Sequence, residues 1–249
     1  MSGDVWEVGD AYEAYVGRWS RRVAAEFVRS LAQPAGLRWL DVGRGTGAVS
    51  AAIGDAAFVA GVDRSAGFLR GARAVVNGDG TALPVASGRF DVVVSGLALN
   101  FMPDPAAAAG EMARVARSGA TVAAYVWDYG DGMQMMRRFW DAAAEADPGA
   151  RDGDEVRRFP MCRPAALHDL WTGAGLRAVA TGEIVVPTVF AGFDDYWNPF
   201  LGGQGAAPAF LARQPAETRA AIRERLRGTL GAGPIALTAR AWTVRGVKG

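Results

Sequence analysis

The sequence predicts an α/β fold, a doubly wound and mostly parallel sheet, and three observations carry that prediction. Short apolar strands alternate with helical segments from Leu37 to Trp127. Each strand runs into a polar or glycine-rich turn, and open α/β sheets bind their ligands outside those carboxyl ends. No linker clearly divides the 249 residues, a length that suits one such domain with an elaboration.

A helix is predicted over residues 10–32, where Tyr12, Tyr15, Val16, Trp19, Val23, Phe27, Val28 and Leu31 recur at three- and four-residue steps and Pro34 with Gly36 closes the segment. Its apolar face suits packing on the sheet. A helix leading into such a sheet can also lie over the mouth of a site, where Tyr15 is a candidate contact and Arg18 would pair with a ligand carboxylate. The first strand, WLDV, enters the turn Gly43–Gly47, and a helix follows over Thr46–Ile53. Ala57–Val62 forms the second strand and ends in Asp63, about 20 residues after the glycines, where an acid reaches both hydroxyls of a bound ribose. Arg64 beside it joins the candidate cofactor-binding set. Ser65–Val75 reads as a helix, followed by a short strand through Asn77 and the loop GDGTALP. There Asp79, Gly80 and Thr81 would meet an adenine edge; a plain turn aspartate is the competing reading.

Arg89–Gly96, RFDVVVSG, is a continuous apolar strand of the kind buried on both faces. Asp104 and Pro105 provide an N-cap and first-turn proline for an alanine-rich helix reaching about Ser118. Thr121–Trp127 is the fifth strand. Ser95, Asn100, Trp127 and Asp128 therefore fall at strand ends, Ser95 as a cofactor candidate and Asn100 and Trp127 as substrate candidates. Helices are expected over Met133–Ala146 and Pro164–Thr172, and strands over Leu176–Val189 and Ile235–Val244. The stretch between those strands is too long for a hairpin loop, so it reads as an insertion. Phe190, Phe193, Tyr196, Trp197, Pro199 and Phe200 followed by GGQG read as a lid, with Tyr196 and Trp197 facing substrate; a satellite core is the alternative. The expected organisation is a single domain, 1–249, with a helical cap at 1–36, a core at 37–190, the lid at 191–234 and the last strand at 235–249.

Twenty-seven Lys and Arg against 26 Asp and Glu leave a net charge of +1, with no basic run to neutralise phosphates, so nucleic acid is not expected as a partner. Cys162 is the sole cysteine, which excludes an intrachain disulfide, and no ligand cluster suggests a metal. No apolar run approaches the ~20 residues of a membrane helix, so no membrane partner and a cytoplasmic location are expected. The turn itself also satisfies G-x-G-x-x-A through Gly43, Gly45 and Ala48, which admits a nicotinamide reading. Asp41 opposes it: a carboxylate two residues before the first glycine sits where a pyrophosphate would bind. S-adenosylmethionine carries an ammonium and a sulfonium and no phosphate, so it suits that acid better.

LDVGRGTG, GVD ending at Asp63, GDGTALP with Asp79, FDVVVSG and the helix after PDP follow one another with an order and spacing that resemble class I S-adenosylmethionine-dependent methyltransferases, in particular the type 11 small-molecule group, over roughly residues 10–190. The resemblance implies a Rossmann-like fold of seven strands with the last antiparallel, and an enzyme. It also implies that Gly43 and Gly45 lie against the methionyl part, that Asp63 holds the ribose, that Asp79, Gly80 and Thr81 frame adenine, and that Ser95 lies near the amino group. Arg44 departs from the small residue usual there and is expected to tune affinity without abolishing it. The expected reaction is in-line methyl transfer to a small, partly hydrophobic or aromatic molecule. If a proton must leave, Tyr15, Asp128, Tyr12 and His168 are the candidates by location, with His168 better read as a surface helix residue. The competing functions are a binding protein for the same cofactor without methyl transfer, as sensor or non-methylating catalyst, and a nicotinamide-dependent oxidoreductase.

Overall fold

The computed structural model describes residues 13–70, 72–202 and 205–249. A π-helical turn, Glu13–Gly17, leads into α1 (Arg18–Ser30), and the elements that follow are β1 (Arg38–Val42), α2 (Ala48–Ala52), β2 (Phe58–Asp63), α3 (Ala66–Leu69), β3 (Val75–Asn77), β4 (Phe90–Gly96), α4 (Pro105–Val115) and β5 (Ala116–Trp127). The second half contributes α5 (Gln134–Ala146), α6 (Glu155–Arg158), α7 (Pro164–Gly173), β6 (Leu176–Phe190), α8 (Phe193–Trp197), α9 (Ala206–Arg213), α10 (Ala216–Leu230) and β7 (Ile235–Lys248). Tyr12 and the centre of the GGQG segment lie outside the described residues.

The strands form one seven-stranded sheet in the order β3-β2-β1-β4-β5-β7-β6. The pairs β2–β3, β1–β2, β1–β4 and β4–β5 are parallel, and β5–β7 is antiparallel, as the sequence reading expects of the last strand. The sheet doubles back beside β1, from which β2 and β4 leave in opposite directions. That is the switch point at which α/β sheets open a crevice for ligands. Val92, Val93 and Val94 of β4 and Val122–Val126 of β5 are buried without alternation, because helices cover both faces of the parallel part.

The chain divides into two compact units, with limits that fall within α1, β6 and β7. The sheet unit takes Ser20–Trp127, Met161–Ile184 and Ala241–Gly249. In it Phe27 of α1 packs on Tyr125 of β5 with ring centroids 4.6 Å apart, and the buried Trp171 donates its indole N–H to the Val122 carbonyl at 3.0 Å. Both side chains thus bury a large apolar area, and Trp171 leaves no polar atom unpaired. The helical unit takes the chain up to Trp19, Asp128–Pro160 and Val185–Arg240. Its centre is aromatic: Phe139 stacks on Phe200 at 4.5 Å, Trp140 meets Phe210 at 5.5 Å, and the Trp140 indole donates to the buried Glu155 carboxylate. Among the described residues no helix is long and apolar enough to cross a membrane.

Two boundaries differ from the sequence reading, each for a local reason. The helix expected over Ser65–Val75 stops at Leu69. Gly67 weakens the segment by about 1 kcal/mol relative to alanine, and the Ser65 side chain makes no capping bond. The helix expected to reach Ser118 ends at Val115, and β5 begins at Ala116. The β4–β5 register shifts after Phe90↔Ala116 to Val92↔Thr121, a bulge that Gly119 accommodates at φ +80°.

Asp104 caps α4 by accepting from the N–H groups of Ala106 and Ala107 at 3.0 and 2.9 Å. This exposed cap is separable from the core, so Asp104→Ala is expected to cost about 1 kcal/mol in urea unfolding with the denaturant slope unchanged.

Candidate functional site

The carboxyl ends of β1, β2 and β4 build a cradle in the sheet unit, and close backbone approach sets its shape. Gly43, Gly45 and Gly47 take φ of +71°, +54° and +86°, a region that L side chains rarely enter. A Cβ at Gly43 would collide with the Cβ of Ala98, and one at Gly80 would come within 2.8 Å of the Met102 sulfur. The loop after β4 therefore presses on both the glycine turn and the GDGTALP loop. The N–H groups of Gly43 and Arg44 bond the Val62 carbonyl at 2.8 and 3.1 Å, which fastens the turn to β2.

Five of the predicted positions carry acids or polar atoms in this cradle. Asp41, 1 % exposed, accepts from the N–H and hydroxyl of Ser50 through Oδ2 at 3.1 and 2.7 Å, while Oδ1 has no partner among the described residues. Burial pushes its pKa up to about 6; the Ser50 bonds and the nearby Arg44 guanidinium oppose that rise, and Asp63 adds to it. Asp63 is also buried, and its two oxygens accept from Gly45 N–H at 2.7 Å and Ser65 N–H at 2.8 Å. Asn77, absent from the sequence reading of the site, donates to the Asp63 and Arg64 carbonyls at 3.0 and 2.9 Å and so holds the tip of β2. Asp79 is exposed and accepts from Thr81 N–H and Oγ1, both at 2.8 Å. Those bonds hold its carboxyl below the usual range, with a smaller contribution from Arg64. Ser95 and Asn100 are buried, and neither the Ser95 hydroxyl nor the Asn100 amide has a partner among the described residues.

Arg44 lies across this turn. Its side chain fills the space over Gly61 and Gly47, where a Cβ on Gly47 would stand 2.5 Å from Nη2. Trp127 closes β5, buried, in register with Ala241 of β7. His168 is on the exposed side of α7, 3.7 Å from Asp169.

The remaining predicted residues belong to the helical unit. Arg18 bonds Asp195 through Nη1 at 3.1 Å and lies over the rings of Trp19 and Phe190 at 4.5 and 4.9 Å. Its Nε and Nη2 are buried without a hydrogen-bond partner among the described residues, and together they form the fork edge that a carboxylate matches. Tyr15 is buried edge-on to Phe200 at 5.4 Å. Tyr196 donates its hydroxyl to the Met135 carbonyl at 2.9 Å, and burial raises its pKa. Trp197 stacks on Phe193. These aromatic residues form a packed cluster, the alternative that the sequence reading set beside a lid. The Asp128 carboxylate accepts from Gly130 N–H at 3.0 Å and from Arg240 at 2.8 and 2.7 Å, so a base at this position would first have to break an ion pair. Arg240 was visible only as one of three cations in β7, and Asp195 carried no signal at all.

The raised pKa of Asp41 fixes a sign. The folded chain holds this proton more tightly than the unfolded one, so stability is gained as pH falls through about 6 and is lost again as pH rises through that value. Asp41→Asn keeps an acceptor for Ser50 and removes the buried charge. Thermal unfolding at pH 7 should show a more stable variant, by up to on the order of 3 kcal/mol, with a flatter profile between pH 4 and 6.

The comparisons with known proteins converge on one family. A model of the methyltransferase domain matches residues 40–124. The chain is similar to a 2-methyl-6-phytyl-1,4-hydroquinone methyltransferase of Synechocystis sp., 30% identical over 198 residues that cover 72% of this chain and 62% of that one. It is similar to a demethylmenaquinone methyltransferase of Beutenbergia cavernae, 33% identical over 172 residues that cover 60% of this chain and 71% of that one. It thus spans somewhat under two thirds of the first relative's length. In fold it matches a Haemonchus contortus phosphoethanolamine N-methyltransferase 2 bound to S-adenosylhomocysteine, with a TM-score of 0.57 at 14% identity, covering 96% of this chain and 56% of that one. The ordered motifs, the seven-stranded sheet and these similarities together establish that the chain belongs to the class I S-adenosylmethionine-dependent methyltransferases.

Proposed function

We propose that the protein transfers a methyl group from S-adenosylmethionine to a small, partly hydrophobic or aromatic molecule by in-line displacement. The observation that carries this reading is the buried Asp41 Oδ1, which has no partner among the described residues and lies beside a glycine turn. An unpaired buried carboxylate oxygen asks for a cation, and it repels the pyrophosphate of a dinucleotide. The relatives' names, both of which refer to quinone or hydroquinone methylation, support an aromatic acceptor.

In this reading Gly43 and Gly45 pass against the methionyl part of the cofactor, and Asp41 and Ser95 serve its ammonium. Asp63 takes the ribose hydroxyls: each of its oxygens accepts one backbone N–H and keeps a lone pair for a hydroxyl. Asp79, Gly80 and Thr81 frame the adenine, with Arg64 nearby. When bound, the cofactor supplies a methyl carbon already activated by its sulfonium. The protein's own work is to align the nucleophile and to keep water out, and the buried Asn100 and Trp127 suit both tasks.

Calorimetric titration of S-adenosylmethionine, S-adenosylhomocysteine and NADH into the wild type and Asp63→Ala tests this reading. The first two should bind the wild type, and the substitution should weaken them by about tenfold or more, the loss of a charged hydrogen-bond acceptor. Binding of NADH alone would transfer the case to a nicotinamide-dependent oxidoreductase. With the cofactor bound, a mass gain of one methyl group across an acceptor panel separates an enzyme from a binding protein that does not transfer methyl.

A further inference from the structure

Asn100 stands in the single helical turn Leu99–Phe101 that follows β4. Its side chain is buried, and neither Nδ2 nor Oδ1 has a hydrogen-bond partner among the described residues. A primary amide presents two N–H donors and an oxygen with two lone pairs, and burying all of them unpaired is destabilising unless a ligand completes them. The backbone beside it is strained: Leu97, a residue with a Cβ, takes φ +56° and is held there by its N–H bond to the Tyr125 carbonyl at 2.9 Å. Strain of this kind persists where the surroundings over-determine it, and it gathers at ligand sites. Ala98 and Met102 of the same loop press on Gly43 and Gly80, so the turn that carries Asn100 borders the cradle.

The amide is neutral and its chain neighbours Ala98, Leu99, Phe101 and Met102 are apolar. An ammonium or phosphate brought here would lose hydration and find no countercharge among these neighbours. A hydroxyl answers both ends of the amide at once, donating to Oδ1 and accepting from Nδ2. From this geometry we infer that Asn100 selects the methyl acceptor, and that the acceptor offers it an uncharged phenolic or hydroquinone hydroxyl on an apolar ring. The inference rests on the methyltransferase reading above and narrows its acceptor to one class.

The test begins with S-adenosylhomocysteine titrated into the wild type, Asn100→Ala and Asn100→Leu. If the wild type does not bind it, the methyltransferase reading fails and this inference falls with it. The loaded proteins are then titrated with 2-naphthol, 2-methoxynaphthalene and 2-naphthylmethylammonium. The wild type should prefer the naphthol by about tenfold over its methyl ether and over the ammonium, and both variants should lose that preference while holding S-adenosylhomocysteine within about twofold of wild type. Without its ligand, Asn100→Leu should melt about 2–4 °C higher than wild type, because an unpaired buried amide is gone. A wild type indifferent to the hydroxyl overturns the acceptor class. Loss of S-adenosylhomocysteine affinity in the variants moves Asn100 to the cofactor, and a lower melting temperature for Asn100→Leu makes its amide structural; either result overturns the inference.

Discussion

The site depends on how closely the loop after β4 approaches two glycines. Parallel pairing sets β1 and β4 side by side with Asp41 level with Val94, so the chain leaves both strands at nearly the same height. Ala98 then comes against Gly43 and Met102 against Gly80. Three loops meet because two positions lack side chains. From that packing follow the left-handed backbone of the turn, the burial of Asp41, Ser95 and Asn100, and the confinement of Asp63 at the tip of β2. A backbone fixed in this way presents its N–H groups without further ordering, which is how rigid sheets make binding sites from loops.

Charge is distributed unevenly over this frame. Asp63 straps the turn to β2 through Gly45 and Ser65, so one carboxylate both shapes the cradle and faces into it. Asp79 is held by its own turn and stays in water. Asp41 has the opposite situation: two bonds from Ser50 do not offset its burial, and the protein retains a group that would be more stable neutral. Natural proteins keep destabilising groups of this type where function requires them.

Much of the architecture was legible because the alternation of strands and helices is a periodic signal, and the acids at strand ends stand next to it. The seven strands and the α4 cap at Asp104 follow from patterns a few residues long, while the antiparallel last strand is what the family resemblance implied. What escaped was determined by contacts distant in sequence. Nothing near Asp128 announces that Arg240, 112 positions away, will hold its carboxylate, and nothing near Arg18 announces Asp195. The aromatic run around Tyr196 shows the same limit: its composition suits a binding surface and a core equally, and the structure shows it packed, with the Tyr196 hydroxyl spent on a main-chain carbonyl. Asn100 was readable as a position but not as an unpaired amide, since pairing is a property of the whole neighbourhood.

Arg44 carries a consequence for how this turn could have changed. Its aliphatic stem occupies the place where a Cβ on Gly61 would stand, and its guanidinium occupies the place of a Cβ on Gly47. The identities of residues 44, 47 and 61 are therefore tied together. A small residue at 44 releases position 61, which has ordinary strand geometry, to carry a side chain; position 47, at φ +86°, stays glycine for its own backbone reason. Once position 61 holds a side chain, an arginine at 44 has to move its stem aside. The effect of a substitution at one of these two positions therefore depends on which residue the other holds, so the order in which they occur bears on which version of the turn a lineage keeps.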